Sequence, residues 1–147
     1  MKILVVGAGA VGGYFGAHLA QAGRDVTFLV RPARAQQLQR DGLRIISPHG
    51  DLTLKPHTIT SAEITSPYDI IFLSVKAQAL DQAIKDMTPA VGPETMIYTA
   101  LNGMRHIGTL IHSFGEQAVL GGVTFVSTDL DEQGRKQRVC RKCGAEL

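Results

Sequence analysis

The first 23 residues combine two kinds of hydrophobic pattern. Lys2 to Val6 are apolar apart from the lysine and rich in β-branched side chains, and this run stops at a glycine, as a buried parallel strand does. Beyond Gly9 the apolar positions recur at helical spacing, and Gly23 provides a stop signal for the helix. The pattern therefore predicts a strand, a glycine-rich turn and a helix. The apolar positions of this predicted helix are Val11, Tyr14, Phe15, Leu19 and Ala22.

Gly7, Gly9 and Gly12 lie at the predicted strand-to-helix turn with the spacing Gly-x-Gly-x-x-Gly. In this context the first glycine allows a tight turn, the second lets a pyrophosphate approach the backbone, and the third lets helix and strand pack closely. The phosphates would lie at the amino-terminal end of the helix that begins near Ala10, where N–H groups and the helix dipole favour negative charge. The motif predicts dinucleotide binding, with a simple tight turn as the alternative interpretation.

A secretory signal peptide is another interpretation of the same stretch, because Met1 and Lys2 precede an apolar run and several small residues. However, five glycines between positions 7 and 16 interrupt that run. Another predicted strand follows directly and would need the first one as its neighbour. We therefore expect these residues to belong to the folded domain.

The rest of the chain continues to alternate between predicted strands and helices. Residues 43–47 and 51–55 predict a β-hairpin, which an ordinary dinucleotide-binding fold does not require. The strongest strand pattern is DIIFLSV, residues 69–75, a nearly continuous apolar run typical of a strand buried on both faces. The fold class predicted is α/β, a Rossmann-like doubly wound and mostly parallel sheet with an inserted β-hairpin. Further strands are predicted at 25–30, 57–60, 95–101 and 119–127, and helices at 33–40, 77–87 and 105–113.

The end of the second predicted strand indicates which dinucleotide binds. An acidic residue about 20 residues beyond the glycine motif suits the ribose hydroxyls of NAD, whereas an arginine suits the 2′-phosphate of NADP. Here the position holds Arg31, with Arg34 close by, and no acidic residue lies between Val26 and Arg40. This predicts NADP(H) as the cofactor. The alternative is that both arginines are solvated loop charges.

Three polar residues lie at or just beyond the carboxyl ends of predicted strands. Ser74 and Lys76 end the strongest strand, and Asn102 follows the next one. Ligands of open parallel sheets sit at this edge, so Ser74 and Lys76 are predicted to lie near the nicotinamide end of the cofactor. Alternatively, Lys76 is a surface lysine and Asn102-Gly103 is an ordinary turn.

Composition excludes several other classes of function. The chain has 147 residues, 44% of them hydrophobic, and a formal net charge of +2, which predicts one domain and no nucleic-acid surface on its body. No apolar stretch approaches the ~20 residues of a membrane helix. Both cysteines lie in the last residues, so we expect a cytoplasmic protein without a disulfide framework. We also expect no metal site, since His49 and His57 have no partner at ligand spacing and are predicted to lie in surface loops.

The last thirteen residues, RKQRVCRKCGAEL, contain five of the fifteen lysines and arginines. We predict a domain over residues 1–134 and a disordered basic tail over 135–147. Cys140 and Cys143 form a Cys-x-x-Cys pair, but a closed zinc site needs four ligands, so exposed thiols are the favoured interpretation and zinc shared between two chains the alternative.

Taken in order, several segments resemble the amino-terminal domain of ketopantoate reductase, also called 2-dehydropantoate 2-reductase. They are GAGAVGGYFG, an arginine closing the second strand, the hairpin, FLSVKA, LNGM and GGVTFVS, and together they cover about residues 1–134. The resemblance implies reduction of 2-dehydropantoate to pantoate with NADPH, on the route to pantothenate and coenzyme A. A small 2-keto acid would then be the partner of this chain.

The resemblance also implies roles for individual residues. Gly7, Gly9, Ala10, Val11 and Gly12 match the pyrophosphate-binding loop of the family. Arg31 matches its 2′-phosphate arginine, Lys76 its lysine near the nicotinamide ribose and active site, and Asn102 the asparagine that helps to fix cofactor and substrate. Lys76 and Asn102 also suit the chemistry, because hydride transfer to a ketone builds negative charge on an oxygen that such donors stabilise.

The family continues into a helical second domain that supplies its principal general-acid lysine, and this sequence stops before such a domain. We therefore expect a cofactor-binding part that is catalytically incomplete by itself, with a disrupted reading frame as the favoured explanation and a tail with its own role as the other. The alternatives are a non-catalytic NADP(H)-binding module and a truncated product that does not fold stably. The surface left by the missing domain is expected to be apolar and to allow self-association.

Overall fold

The computed structural model describes residues 1–47, 50–130 and 136–139. Within these ranges ten strands and four α-helices follow one another along the chain. The strands are β1 Lys2–Val6, β2 Asp25–Leu29, β3 Leu43–Ile46, β4 Leu52–Leu54, β5 His57–Ile59, β6 Ile70–Leu73, β7 Met96–Thr99, β8 Val119–Leu120, β9 Thr128–Leu130 and β10 Lys136–Val139. The helices are α1 Ala10–Gln21, α2 Pro32–Asp41, α3 Leu80–Met87 and α4 Arg105–Phe114.

Six strands form a parallel sheet in the order β5-β2-β1-β6-β7-β8. From the central strand β1 the chain first builds outward through β2 and β5, and it then returns to place β6 on the other side of β1. The reversal creates a topological switch point between β1 and β6, where open α/β sheets bind ligands at the carboxyl ends of their strands. The predicted Rossmann-like, mostly parallel sheet is confirmed.

Both faces of this sheet are covered, as the apolar strands predict. In β1, Ile3 and Val5 point into one hydrophobic cluster, which includes residues of α1 and α2, while Leu4 and Val6 point into a second cluster, which includes residues of α3 and α4. All four of these side chains are at most 3% exposed. Burying a side chain of this size stabilises the fold by about 1.5–3 kcal/mol, so β1 anchors the turn that follows it.

The predicted hairpin belongs to a second, four-stranded sheet with the order β4-β3-β10-β9. β3 and β4 are antiparallel, as the sequence predicts, while β10 runs parallel to β3 and antiparallel to β9. This sheet packs against α1, so the helix lies between the two sheets.

β10 corrects part of the prediction of a disordered tail from residue 135. Although the segment is basic, its backbone pairs on both sides, with Lys136 to Arg138 opposite Arg44 to Ile46 and with Val139 opposite Thr128. Backbone hydrogen bonds to β3 and β9 stabilise this strand, which the composition of the segment does not indicate. The other tail residues, including Cys140 and Cys143, lie outside the described residues.

The strand predicted over residues 119–127 is also wrong in part. β8 ends at Leu120, residues 121–127 have no regular structure, and β9 then joins the other sheet. The chain passes close to the first sheet here, because a Cβ at Gly122 would overlap the ring of Tyr98. A continuous strand could not both pair with β7 and cross to the second sheet.

Two smaller predictions change as well. His57 lies in β5, as the strand predicted at 57–60 implies, and not in a surface loop; its Nδ1 is 3.0 Å from the Thr27 hydroxyl oxygen on the neighbouring strand. The helix predicted from residue 77 begins as a 3₁₀ turn, Ala77–Ala79, before α3 starts at Leu80. His49 lies outside the described residues. None of the helices in the described part is long and apolar enough to cross a membrane.

His106, near the start of α4, is expected to make stability depend on pH. It is 7% exposed, and burial lowers the pKa of its imidazole below the ordinary value of 6.5. Below pH 6.5 the unfolded chain binds a proton that the folded chain resists, so the free energy of unfolding should fall as the pH drops from about 6.5 toward the lower folded pKa. Denaturant unfolding at several pH values should show this loss, and His106→Gln should reduce it.

The exposed His112 of the same helix provides the matched control, and His112→Gln should leave the pH dependence as it is. If His106→Gln loses as much stability as the unsubstituted chain between pH 7 and pH 5, burial of this imidazole does not cause the effect.

Candidate cofactor-binding site

A cavity of about 870 Å³ opens at the carboxyl ends of β1 and β6, at the switch point of the sheet. The glycine-rich turn, the segments that follow β2, β5 and β6, and α3 all line this cavity. The lining residues are Val6 to Gly9, Leu29 to Pro32, Arg34, Thr60 to Ala62, Ser74 to Lys76, Ala79, Gln82, Ala83, Asp86 and Leu130.

The glycine-rich turn joins β1 to α1, in the context that the sequence predicts. Gly7 has φ +94°, a conformation that other residues avoid, and its N–H donates to the Leu29 carbonyl at 3.1 Å. A Cβ at this position would lie 3.3 Å from the Ser74 carbonyl oxygen. Gly7 is therefore required both by the backbone conformation and by the close approach of β6.

Gly9 and Gly12 differ in what surrounds them. Gly9 precedes the first residue of α1 and lines the cavity, and a Cβ built on it would meet no heavy atom of the described residues within 4 Å. Gly12 is buried, and a Cβ there would overlap the Ser74 hydroxyl and the Gly7 carbonyl. Gly9 thus leaves space open toward the cavity, while Gly12 allows α1 to pack on the turn. Ala10 and Val11, in the first turn of α1, are half-buried and are not among the lining residues.

Ser74 lines the cavity, but its hydroxyl faces the protein backbone. The oxygen is 3.0 Å from the Gly7 carbonyl oxygen and 3.2 Å from that of Val6. The Val6 carbonyl already accepts a hydrogen bond from the Ser74 N–H at 3.0 Å. The Ser74 hydroxyl therefore donates its proton to the Gly7 carbonyl, which is the nearer of the two acceptors.

The two arginines near the end of β2 have different environments. Arg31 lines the cavity, is exposed, and directly precedes the first residue of α2. Arg34 is half-buried, and it donates to the Ala8 carbonyl at 2.9 Å and to Gln37 Oε1 at 2.6 Å. Arg31 therefore presents its charge at the rim, whereas Arg34 is tied to the glycine-rich turn.

Lys76 and Asn102 are both exposed, and each lies three residues beyond the end of a strand, β6 and β7 respectively. Lys76 lines the cavity and precedes the 3₁₀ turn that leads into α3. Asn102 lies in the bend between β7 and α4 and is not among the lining residues of this cavity. The two side chains share the same edge of the sheet, but the cavity includes only the lysine.

Several lining residues are missing from the sequence-based prediction. Thr60 follows β5, and its N–H and hydroxyl donate to Glu63 Oε2 at 2.7 and 2.6 Å. Both bonds lower the pKa of the Glu63 carboxyl, and the bond from the hydroxyl has the larger effect. Thr60 and Glu63 form a capping box, for which the spacing Thr-x-x-Glu is a sequence signal.

Gln82 and Asp86 of α3 also line the cavity, and they bond to each other at 2.8 Å. No sequence motif indicates either residue.

Comparison with known proteins decides the family. A family model described as ketopantoate reductase PanE/ApbA matches residues 3–139. The chain belongs to the ketopantoate reductase family. Its members are oxidoreductases, and the match extends through β10, beyond the predicted domain boundary at residue 134.

Individual relatives agree with this assignment. An uncharacterized oxidoreductase, YkpB, from Bacillus subtilis (strain 168) is 45% identical over 134 residues, which are 91% of this chain and 44% of the relative. A structure of 2-dehydropantoate 2-reductase from Geobacter metallireducens GS-15 has a TM-score of 0.85 at 32% identity, covering 95% of this chain and 46% of that one. The chain thus spans less than half the length of either.

D-mandelate dehydrogenase is a structural neighbour that was solved with its cofactor. A ternary structure of D-mandelate dehydrogenase with NADH and anilino(oxo)acetate has a TM-score of 0.83 at 26% identity, covering 95% of this chain and 46% of that one. A nicotinamide cofactor is therefore bound by a protein with the same fold.

Proposed function

We propose that this chain is the cofactor-binding part of an NADPH-dependent reductase that converts 2-dehydropantoate to pantoate, in the synthesis of pantothenate and coenzyme A. The observation that carries this proposal is the glycine-rich turn between β1 and α1, which opens into a cavity that Arg31 borders. Family membership supports an oxidoreductase, and the relatives with this printed activity support the substrate.

The residues present fit a dinucleotide. Gly9 lacks the side chain that would occupy the space next to the turn, and the amino-terminal end of α1 lies where a pyrophosphate needs N–H donors. The cavity, of about 870 Å³, extends from this turn to the residues that follow β2 and to those that follow β6. Gly9 and Ala10 would hold the pyrophosphate through their backbone, while Gly7, whose N–H bonds to Leu29, shapes the turn, and Val11 and Gly12 set the position of the helix.

The preference for NADP(H) rests on Arg31. The D-mandelate dehydrogenase structure contains NADH, so this fold accommodates a cofactor without the 2′-phosphate. In this chain, however, the end of β2 carries a cation and no carboxylate. An exposed guanidinium at the cavity rim would bind the 2′-phosphate in bidentate fashion and gives NADH no comparable partner.

The substrate side of the proposal rests on Lys76 and Asn102. When bound, NADPH supplies the hydride that reduces the C2 carbonyl of the keto acid. Lys76, at the cavity, would then stabilise negative charge on the carbonyl oxygen, and Asn102 would help to fix cofactor and substrate from the neighbouring strand end. We propose that the proton comes from a group outside this chain, which would leave the chain by itself catalytically incomplete.

We further propose a cytoplasmic protein that can self-associate. The exposed apolar side chains in the described residues include Met104, Val123 and Phe125, which are 76%, 84% and 95% exposed. Two of them lie in the irregular segment between β8 and β9, next to the edge of the main sheet. Large contiguous apolar patches mark surfaces that contact another protein, and we propose that these side chains form part of such a patch.

Incubation of the chain with NADPH and 2-dehydropantoate tests the proposal. We expect NADPH to bind, seen as a change in its fluorescence, without a steady loss of its absorbance. Lys76→Met should keep most of the affinity for NADPH. Steady oxidation of NADPH by the chain alone would contradict the proposed incompleteness, and the absence of any NADPH binding would contradict the proposed function as a whole.

A further inference from the structure

The carbonyl groups of the glycine-rich turn are all bonded to the protein. The Gly7 carbonyl lies 3.0 Å from the Ser74 hydroxyl, the Ala8 carbonyl accepts from Arg34, and the Gly9 carbonyl accepts the Gly13 N–H at 2.8 Å. A carbonyl turned toward a phosphate would repel it, since both carry negative charge. The third of these bonds belongs to α1, whereas the first two come from side chains of other elements.

Ser74, the residue that follows β6, holds the first carbonyl. Its backbone N–H is already paired with Val6, which fixes the serine relative to the end of β1. The same hydroxyl occupies the space next to Gly12, so the serine contacts the turn and the first part of α1 at one point. This contact determines where the Gly7 carbonyl can point.

Arg34 holds the second carbonyl from α2. One nitrogen of its guanidinium donates to Ala8 at 2.9 Å and another donates to Gln37 at 2.6 Å on the same helix. A guanidinium held at two points has a defined orientation, because its donors form a planar, rigid fork. Arg34 therefore links the turn to the helix that follows Arg31.

Fixing the direction of a carbonyl group also fixes the direction of the N–H group in the same peptide. A trans peptide is planar, and its N–H points opposite to its C=O. We propose that Ser74 and Arg34 are positioning residues that together orient the peptides of the glycine-rich turn, so that the Ala8 and Gly9 N–H groups point toward the bound pyrophosphate. This inference rests on the proposed function.

The proposal assigns Ser74 and Arg34 roles that differ from direct contact with the cofactor. A second cation close to Arg31 could instead serve as another ligand of the 2′-phosphate, and a hydroxyl at the cavity could bind the cofactor itself. The two possibilities for Arg34 differ in one measurable respect. A 2′-phosphate ligand affects NADPH alone, whereas a residue that positions the pyrophosphate loop affects NADPH and NADH equally.

The experiment measures dissociation constants for NADPH and NADH with the full chain and its variants Ser74→Ala, Arg34→Met and Arg34→Lys. We expect each variant to bind both cofactors about 3- to 30-fold more weakly, the range for loss of one hydrogen bond of this kind, with the ratio of the two constants unchanged. Arg34→Lys should not restore binding, although it keeps the charge, because an ammonium lacks the fork that holds both partners. Arg40→Met, an exposed arginine of the same helix, is the matched control and should change neither constant.

Thermal unfolding of each variant, with and without NADPH, shows whether the variant is folded at the temperature of the titration. Three results would overturn the inference: unchanged affinity for both cofactors in folded variants, a selective loss of NADPH binding in Arg34→Met, or full affinity in Arg34→Lys. If the unsubstituted chain binds neither cofactor, the proposed function fails and the inference with it.

Discussion

Arg31→Glu should weaken NADPH binding by about 100-fold or more, because it removes a charge-assisted bond worth about 1.5–3 kcal/mol and places a carboxylate beside the phosphate. Arg31 is exposed at the rim of the cavity, and its side chain makes no hydrogen bond or ion pair with the described residues that its loss would break. The fold should therefore tolerate the change. Fluorescence titration with NADPH measures the effect.

Arg31→Gln separates loss of the cation from charge repulsion, and it should weaken NADPH binding by about 10- to 100-fold. NADH lacks the 2′-phosphate, so its affinity should stay within about 2-fold for Arg31→Gln, since no bond to that phosphate exists to be lost. Equal affinity for NADPH in the unsubstituted chain and in Arg31→Glu would refute the assignment of this arginine to the 2′-phosphate.

Gly12→Ala should have the largest effect on stability among single-methyl additions in the turn. The new Cβ would overlap both the Ser74 hydroxyl and the Gly7 carbonyl. The hydroxyl could rotate away only by giving up its bond to Gly7, and the carbonyl could not move without displacing the turn. Overpacking of this kind costs about 1–3 kcal/mol, and the shifted turn should also lose NADPH affinity. Denaturant unfolding and NADPH titration of the same sample measure both effects.

Gly9→Ala is the matched control, because within the part of the chain that the structure describes a Cβ at Gly9 would meet no atom within 4 Å. It should leave the denaturation midpoint nearly unchanged while lowering NADPH affinity, since the methyl group would enter the space proposed for the pyrophosphate. If Gly9→Ala and Gly12→Ala lose the same amount of stability, the distinction between an open and a packed glycine is wrong.

The sequence predicts the main sheet well because its signals are local. The apolar run of β1, the glycines and the periodicity of α1 follow one another within 21 residues, and the structure confirms this order. The strand after each turn is likewise recognised from its own apolar residues. The position of Arg31 at the end of β2 follows from the same local pattern.

The second sheet could not be predicted in full because its pairing is not local. β10 pairs with β3, which precedes it by about ninety residues, and nothing in the basic sequence of β10 indicates that partner. The break after β8 depends on the close approach of Gly122 to Tyr98, which only the packed structure shows.

Parts of the candidate site also depend on three-dimensional contacts. The sequence is sufficient to place Ser74 at a strand end. It does not reveal that the Ser74 hydroxyl faces the Gly7 carbonyl. Arg34 could be recognised as a cation near Arg31, but its bond to Ala8 depends on how α2 packs against the turn. Gln82 and Asp86 reach the cavity only because α3 packs beside β6.

The most direct test of the central claim is a pair of titrations of the unsubstituted chain, one with NADPH and one with NADH. We expect both to bind at the glycine-rich turn and NADPH to bind at least about 10-fold more tightly, which is the contribution of one arginine–phosphate pair. Equal affinities, tighter binding of NADH, or no binding of either cofactor would contradict it.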